Sequence, residues 1–233
     1  MEREASKTLT VREKILQANE EAARQLRSAF AERNTLVVNL ISSPGSGKTT
    51  LLEATVQRLT DFRVAVLEGD IATERDAERI RALGVPAHQI LTGGACHLDA
   101  RQIQQELSKT DWLKNGHPLD FLFIENVGNL ICPTSYDLGE DFKVAVLSVT
   151  EGDDKPFKYP GIFSRAAATV ITKVDLLPHL DFRIEEVERQ ILRLNPNARI
   201  FRTSAKTGVG LHQWCRFLRE AQERKGLACP SPV

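Results

Sequence analysis

The segment Ser42-Ser43-Pro44-Gly45-Ser46-Gly47-Lys48-Thr49-Thr50 has the composition of a phosphate cradle. Glycines at Gly45 and Gly47 let backbone N–H groups, those of Ser46 and Thr50 included, wrap around phosphate oxygens, and the N-terminus of a following helix adds a favourable field. Lys48 would neutralise the terminal phosphates of a nucleoside triphosphate, and Thr49 would offer a hydroxyl to Mg²⁺. A glycine-rich turn with an incidental lysine is the plain alternative. The context argues against it, because the apolar run LVVNLI (36–41) ends just before the segment and a helical pattern (50–59) opens at its end, the strand-loop-helix setting of a P-loop. One position departs from GxxxxGK[ST]. Ser42 stands where the first glycine would be, at a turn that other small residues can make.

Two later segments also end apolar runs. Thr172-Lys173-Val174-Asp175 and Ser204-Ala205-Lys206 resemble NKxD and SAK, the guanine-recognition motifs of GTPases. In that resemblance Asp175 accepts from the ring N–H and the exocyclic amine of guanine, a donor pair that adenine lacks, and a wrong base leaves the carboxylate unpaired. Lys173 would pack its stem over the base, and the Ala205 N–H, in the loop that Ser204 opens, would bond the guanine carbonyl. Thr172 replaces the usual asparagine, a variant similar to that of signal-recognition-particle GTPases. Alone, TKxD is a common surface-turn pattern; P-loop, TKxD and SAK in order are a stronger signal. Three carboxylates complete the set. Asp70, ending VAVLEGD, is the expected support for Mg²⁺, and Glu125, ending FLFIE, holds the Walker B position where many GTPases have aspartate. Asp76 is the candidate to orient the attacking water, against an ordinary place on a surface helix. No glutamine follows the Walker B position as it does in Ras-like GTPases, which implies slow conversion of GTP to GDP and a switch role. The expected catalytic set is Lys48, Asp76 and Glu125.

The elements that must position these residues are the runs LVVNLI (36–41), VAVLE (64–68), FLFIE (121–125), VAVLSV (144–149) and TVITK (169–173), a short run at 89–91 and a weaker one at 199–203. Near-continuous apolar strands separated by helical segments predict a doubly wound α/β fold, a mostly parallel sheet with helices on both faces, of the P-loop NTPase type. Ligands of such sheets bind beyond the carboxyl ends of the strands. A length of 233 residues suits one such domain. It is expected at 35–225, between an N-terminal extension (1–34) and a loose, proline-containing tail (226–233). The extension carries an amphipathic helix (11–33) with apolar Ile15, Leu16, Ala22, Ala23, Leu26 and Phe30, interrupted by Asn19, which would dock on its own domain or on a partner. Lys plus Arg and Asp plus Glu balance at 31 each, so nothing favours nucleic acid or a membrane surface. No apolar run approaches the roughly 20 residues of a membrane span, and the first residues carry charges where a signal peptide would be apolar, so a cytoplasmic location is expected.

Four segments narrow the class: Glu68-Gly69-Asp70, Gly93-Gly94-Ala95-Cys96-His97-Leu98-Asp99, Ile124-Glu125-Asn126-Val127-Gly128-Asn129-Leu130-Ile131-Cys132-Pro133, and Glu151-Gly152-Asp153-Asp154-Lys155-Pro156. Together they resemble the hydrogenase nickel-incorporation GTPases, the HypB family, over residues 11–224. The resemblance implies GTP binding, dimerisation on GTP, slow hydrolysis, and delivery of nickel to a hydrogenase large subunit with a small zinc-binding partner. Some members store nickel in an N-terminal cysteine cluster or histidine-rich run; residues 1–35 here contain neither residue type, so storage is not expected.

The resemblance also points to Cys96, His97 and Cys132 as metal ligands. On residue types alone, an adjacent cysteine and histidine are as readily ordinary core residues. Thiolates and imidazole suit Ni²⁺ or Zn²⁺ and not Mg²⁺, yet two cysteines and one histidine are too few for a closed tetrahedral cage. A two-fold axis would supply the rest, paired Cys96 and Cys132 giving four thiolates with His97 as an optional ligand. Cys215, near Trp214 and Phe217, reads as core, Cys229 as incidental, and His88, His117, His179 and His212 as carrying no site. Three alternatives remain: a small-molecule kinase, which leaves TKxD and SAK without a role; a urease-type nickel GTPase, which fits ENVGNL and CHLDA less well; and a metal-binding protein regulated by GTP without significant turnover.

Overall fold

The structure, a computed structural model, describes residues 11–70, 75–113 and 118–228. In chain order the elements are α1 (Val11–Ala31), β1 (Leu36–Ser42), α2 (Lys48–Val56), β2 (Val64–Asp70), α3 (Arg75–Arg81), β3 (Ala87–Leu91), α4 (Ala100–Ser108), β4 (Phe121–Glu125), β5 (Phe142–Ser148), α5 (Lys155–Lys158), α6 (Pro160–Arg165), β6 (Ala168–Thr172), α7 (Ile184–Leu194), β7 (Arg199–Arg202) and α8 (Leu211–Ala228). Every apolar run became a strand. The sheet has seven strands in the order β3-β2-β4-β1-β5-β6-β7, and all its pairings are parallel.

Strands this apolar must be covered on both sides, and they are. One face, carrying Val38, Leu40, Val66, Phe123 and Val146, packs under α2, α3 and α8. On the other face Val37, Leu67 and Ile124 meet α1 and α4, while Ala145, Leu147 and Ile171 meet α6 and α7. Trp214 on α8 is buried and donates from Nε1 to Thr55 Oγ1 on α2 at 3.0 Å, which fastens the C-terminal helix to the P-loop helix. Cys215 beside it is buried, as expected of core.

Helix α1 lies on its own chain, against α4 and the sheet, with Ala22, Ala23, Leu26 and Phe30 buried. Leu26 and Phe30 each contribute about 1.5–3 kcal/mol by leaving water. Asn19, which interrupts the apolar stripe in the sequence, is buried too. Its Nδ2 donates to Asp137 O (2.9 Å) and its Oδ1 accepts from Ala100 N (2.8 Å), so it joins α1 to the start of α4. The expected P-loop helix at 50–59 is shifted: α2 starts at Lys48 and ends at Val56. The tail expected from 226 is corrected as well, since α8 continues to Ala228. Cys229 and the residues after it, like His117, lie outside the described residues.

Candidate nucleotide and metal site

The loop between β1 and α2 borders a cleft of about 580 Å³ lined by Pro44 to Thr50, Glu68, Gly69, Asp70, Asp76, Arg79, Glu125 to Gly128 and Lys173. Lys48 is buried here, its Nζ donating to Ser42 Oγ at 2.8 Å and lying 3.9 Å from Glu125 Oε1. Thr49 Oγ1 donates to the same Glu125 oxygen at 3.0 Å. Ser42 is the last residue of β1 and fully buried, so it does not make the turn expected of a substituted glycine. Its hydroxyl instead accepts from Lys48 and from Ser46 Oγ (2.5 Å). A larger apolar groove of about 680 Å³, lined by Val56, Phe62, Val64 and Trp112 among others, lies at the opposite strand ends and holds none of the motif residues.

Two residues of the cleft were missed in the sequence. Glu68 and Glu125 are register partners on neighbouring parallel strands. Both are buried, and burial pushes Glu68 up to about 9, with the Glu125 charge adding to it. Burial likewise raises Glu125 to about 7, opposed by Lys48 and by the Thr49 hydrogen bond. Interacting carboxyls this close titrate as a pair. The available signal was a glutamate inside an apolar run, VAVLEGD, at a strand end facing the Walker B glutamate. The second is Arg79 on α3, which bonds Glu53 (2.6 Å), Thr50 Oγ1 (3.1 Å) and Asp76 (3.1 Å). Asp76 is therefore at the cleft, held by an ion pair with the arginine one helical turn on. That i, i+3 spacing was legible.

The base-site segments close over the same loop. Thr172 Oγ1 donates to Ser46 O at 2.6 Å, so the residue standing in for asparagine ties this segment to the P-loop. Lys173 has φ 59° and reaches back to donate from Nζ to Gly45 O at 2.7 Å. Asp175, half-buried, sits in the 3₁₀ turn Val174–His179. Val174 N donates to Thr203 O (3.1 Å), which brings the turn beside the loop after β7. There Ser204 is buried, its Oγ accepting from Thr207 N (3.2 Å), while Ala205 is exposed.

Cys96 and His97 follow β3, and Cys132 opens a 3₁₀ turn, Cys132–Ser135, beyond β4. Their ligand atoms all lie within 4.8 Å of one another, with Cys96 Sγ 3.6 Å from His97 Nδ1. Tetrahedral thiolates on one ion, at about 2.3 Å from it, stand about 3.8 Å apart, so the triad fits one soft ion as part of a larger ligand set. A hydrogen bond with Cys132 holds the Cys96 thiol above its usual range, and burial holds His97 below its own, in the neutral form that ligates metal. His97 lies tilted over Tyr136, with centroids 3.8 Å apart and 34° between the ring planes. Among the described residues no other histidine joins the triad; His88 bonds Glu106 at 3.0 Å and meets the edge of Trp112.

Both loops of the triad rest on the cleft. Leu98, next to His97, is fully buried against Gly69 of β2 so closely that a Cβ there would lie 2.7–2.9 Å from its side chain. Leu98 N donates to Asn126 Oδ1 at 3.1 Å, and Asn126 directly follows Glu125. On the Cys132 side, a Cβ on Gly128 would lie 2.9 Å from Pro44 Cγ and 3.0 Å from Pro44 N of the P-loop. Asn129 Oδ1 then accepts from Ile131 N (2.7 Å) and Cys132 N (3.4 Å).

Known proteins resemble the chain over most of its length. The CobW/HypB/UreG nucleotide-binding domain family matches residues 36–202. The hydrogenase maturation factor HypB of Azotobacter vinelandii is 49% identical over 214 residues, 91% of this chain and 69% of that protein. The hydrogenase/urease maturation factor HypB of Helicobacter pylori is 44% identical over 93% of this chain and 89% of its own length. Among solved structures, HypB from Helicobacter pylori in complex with nickel superposes with a TM-score of 0.83 at 41% identity, covering 93% of this chain and 99% of that one. The signal recognition particle 54 kDa protein of Aeropyrum pernix, at 15% identity and a TM-score of 0.57, shares the fold alone. The P-loop, the paired carboxylates and the Cys-His-Cys cluster thus belong to a chain of the HypB hydrogenase maturation factors, within the CobW/HypB/UreG family.

Proposed function

We propose that this protein binds and slowly hydrolyses GTP and uses the nucleotide state to control nickel carried at Cys96, His97 and Cys132, for insertion into a [NiFe]-hydrogenase. The observation that carries the reading is the physical continuity of the two sites, since Gly69–Leu98, Asn126–Leu98 and Gly128–Pro44 place each ligand loop against a strand end or loop of the nucleotide cleft.

In this reading Gly45, Ser46, Gly47 and Thr50 wrap the phosphates with backbone N–H groups, and Lys48 moves from Ser42 to the terminal phosphates. Thr49, Asp70 and Glu125 hold Mg²⁺, which when bound offsets the charge that develops on the phosphate oxygens. The donor set fits, because Glu125 Oε2 is buried without a hydrogen-bond partner among the described residues and Thr49 Oγ1 already lies beside the other oxygen. Asp76, positioned by Arg79, orients the attacking water. Thr172, Lys173, Asp175, Ser204 and Ala205 select guanine, with Thr172 acting through the P-loop instead of as an amide. Nickel, or zinc in its place, is the cargo. GTP favours a homodimer in which ligands from both copies converge, and nickel passes on with a small zinc-binding partner to the hydrogenase large subunit, in the cytoplasm. No helix among the described residues is long and apolar enough to cross a membrane. The GTPase unit runs from residue 35 to the end of α8 at Ala228, and the N-terminal extension braces it through α1. A urease role stands beside the hydrogenase one, because the Helicobacter pylori relative is named for both.

Metal stoichiometry per chain, measured with a non-hydrolysable GTP analogue while mass is recorded, tests this. Cys96→Ala and Cys132→Ala should each lose the metal and keep the nucleotide. Full metal affinity in the Cys132→Ala dimer would overturn the shared thiolate site, and tight GTP binding without phosphate release would leave a GTP-regulated metal carrier.

A further inference from the structure

We propose that Glu68 is a residue of the divalent-cation seat at the phosphates, acting with Glu125 as its paired acidic floor. This rests on the nucleotide-site reading above and adds a residue to it.

The placement comes from the sheet. Glu68 on β2 and Glu125 on β4 are aligned register partners, and parallel neighbours lie about 4.8 Å apart. Side chains alternate along a strand, so Glu68 shares a face with Val66, and Glu125 with Phe123, both under α2. That face carries the P-loop helix, whose Thr49 reaches Glu125 directly. Asp70, two positions beyond Glu68, projects to the same side, and all three carboxylates line the cleft.

The partner accounting supplies the second observation. Glu68 is 2% exposed, and among the described residues its Oε1 has no hydrogen-bond partner; neither has Glu125 Oε2. Fold stability alone does not favour two adjoining buried carboxylates with unpaired oxygens, because each is a desolvation cost that a hydrophobic or amide side chain would avoid. Two cations of the cleft act on the pair, Lys48, 3.9 Å from Glu125, and Arg79. Phosphates would draw that ammonium away, and Arg79 is engaged by Glu53 and Asp76, so the pair would face the cleft with its charge only partly offset. A hard divalent ion fits what remains, since carboxylate and hydroxyl oxygens, with waters between, are the ligands that Mg²⁺ and Mn²⁺ take. Glu68 lies deeper than Asp70, so its contact with the ion is through a bound water or direct, and either one binds the cation.

The test is Mn²⁺ titration, by electron paramagnetic resonance, of full-length protein loaded with GDP. Mn²⁺ is hard, so the thiol triad competes weakly for it. Glu68→Gln keeps the side-chain shape without the charge, so the fold should persist, as checked by circular dichroism and thermal unfolding. Mn²⁺ affinity of its GDP complex should fall about tenfold to a hundredfold, as is usual when a residue that supports a metal is lost. GDP affinity in chelator should stay within twofold of the wild type. Glu68→Asp, retaining the charge on a shorter stem, should fall between the two and covers the case of an unstable glutamine variant. Unchanged Mn²⁺ affinity in Glu68→Gln would overturn the assignment, as would an equal loss of GDP affinity without metal, which would mark Glu68 as structural. If the wild type fails to bind GDP at all, the nucleotide-site reading itself fails.

Discussion

Replacing Asn126 by alanine should disconnect the two sites and cost the fold measurably. The side chain does three things: its Oδ1 accepts from Leu98 N (3.1 Å) and Val127 N (3.0 Å), and its Nδ2 donates to Asn39 Oδ1 (3.3 Å). Leu98 and Val127 are buried, so water does not reach the freed N–H groups readily. Each unsatisfied buried donor costs about 1–3 kcal/mol, which sets a range of about 2–6 kcal/mol. Asn39 Nδ2 keeps its bond to Glu140, but Asn39 Oδ1 loses its donor as a third unpaired group, so a loss of at least about 3 kcal/mol is expected. Urea unfolding of the metal-free protein measures it, at unchanged m-value. Asn129→Ala is the control. Asn129 bonds Ile131 N and Cys132 N in a partly exposed loop, and its loss should cost about 1 kcal/mol or less. Nickel affinity should also fall in Asn126→Ala, and its difference between GDP and GTP-analogue complexes should shrink, because the Leu98 backbone beside His97 is no longer tied to the residue after Glu125. A destabilisation below about 1 kcal/mol, or a nickel-GTP coupling equal to the wild type, would refute the reasoning.

Two further expectations follow from contacts and charges already described. Gly128→Ala sets a Cβ against the Pro44 backbone at 3.0–3.1 Å; overpacking of this kind costs about 1–3 kcal/mol, and because it falls on the P-loop, fluorescent-GDP affinity should drop about tenfold, whereas an affinity within twofold of the wild type would remove Gly128 from the site. The Glu68–Glu125 pair should make the empty protein lose stability as pH rises. Burial holds both carboxyls above their ordinary 4.5, at about 9 and about 7, so the pair's contribution is fully present below the unfolded value and is lost as pH climbs through 7 toward 9. Urea midpoints over that window should decline and Glu68→Gln should flatten the decline; an identical slope in the variant would contradict the assignment.

The strands were legible because burial on both faces forces continuous apolar runs, and each run at 36–41, 64–68, 121–125, 144–149 and 169–173 became a strand of the sheet. The P-loop, TKxD and SAK stand out because each is a local run of residues, and the structure brings the three together. The rest depends on pairing across the sheet. Glu68 reads as the polar end of a strand until the register sets it beside Glu125. Asn19 reads as a flaw in an amphipathic stripe until α4 presents Ala100 N to it. Ser42 reads as a poor glycine until the lysine amine lies on its hydroxyl. In each case the setting of one polar side chain comes from another strand, helix or loop, a relation that composition and periodicity do not encode.

The hydrogen bond from Trp214 to Thr55 has a practical consequence in light. The chain holds two tryptophans. Trp112 is half-buried against the edge of His88, whereas Trp214 is 1% exposed, packed on Phe201 and Phe217, and bonded to the helix that opens with Lys48 and Thr49. Trp214 therefore emits from a dry setting whose one side-chain hydrogen bond, among the described residues, goes to the P-loop helix. Its emission should shift when nucleotide moves that helix and stay fixed when only the cysteine loops rearrange. Trp112→Phe would leave it as the single emitter, an unlabelled optical gauge built into the fold.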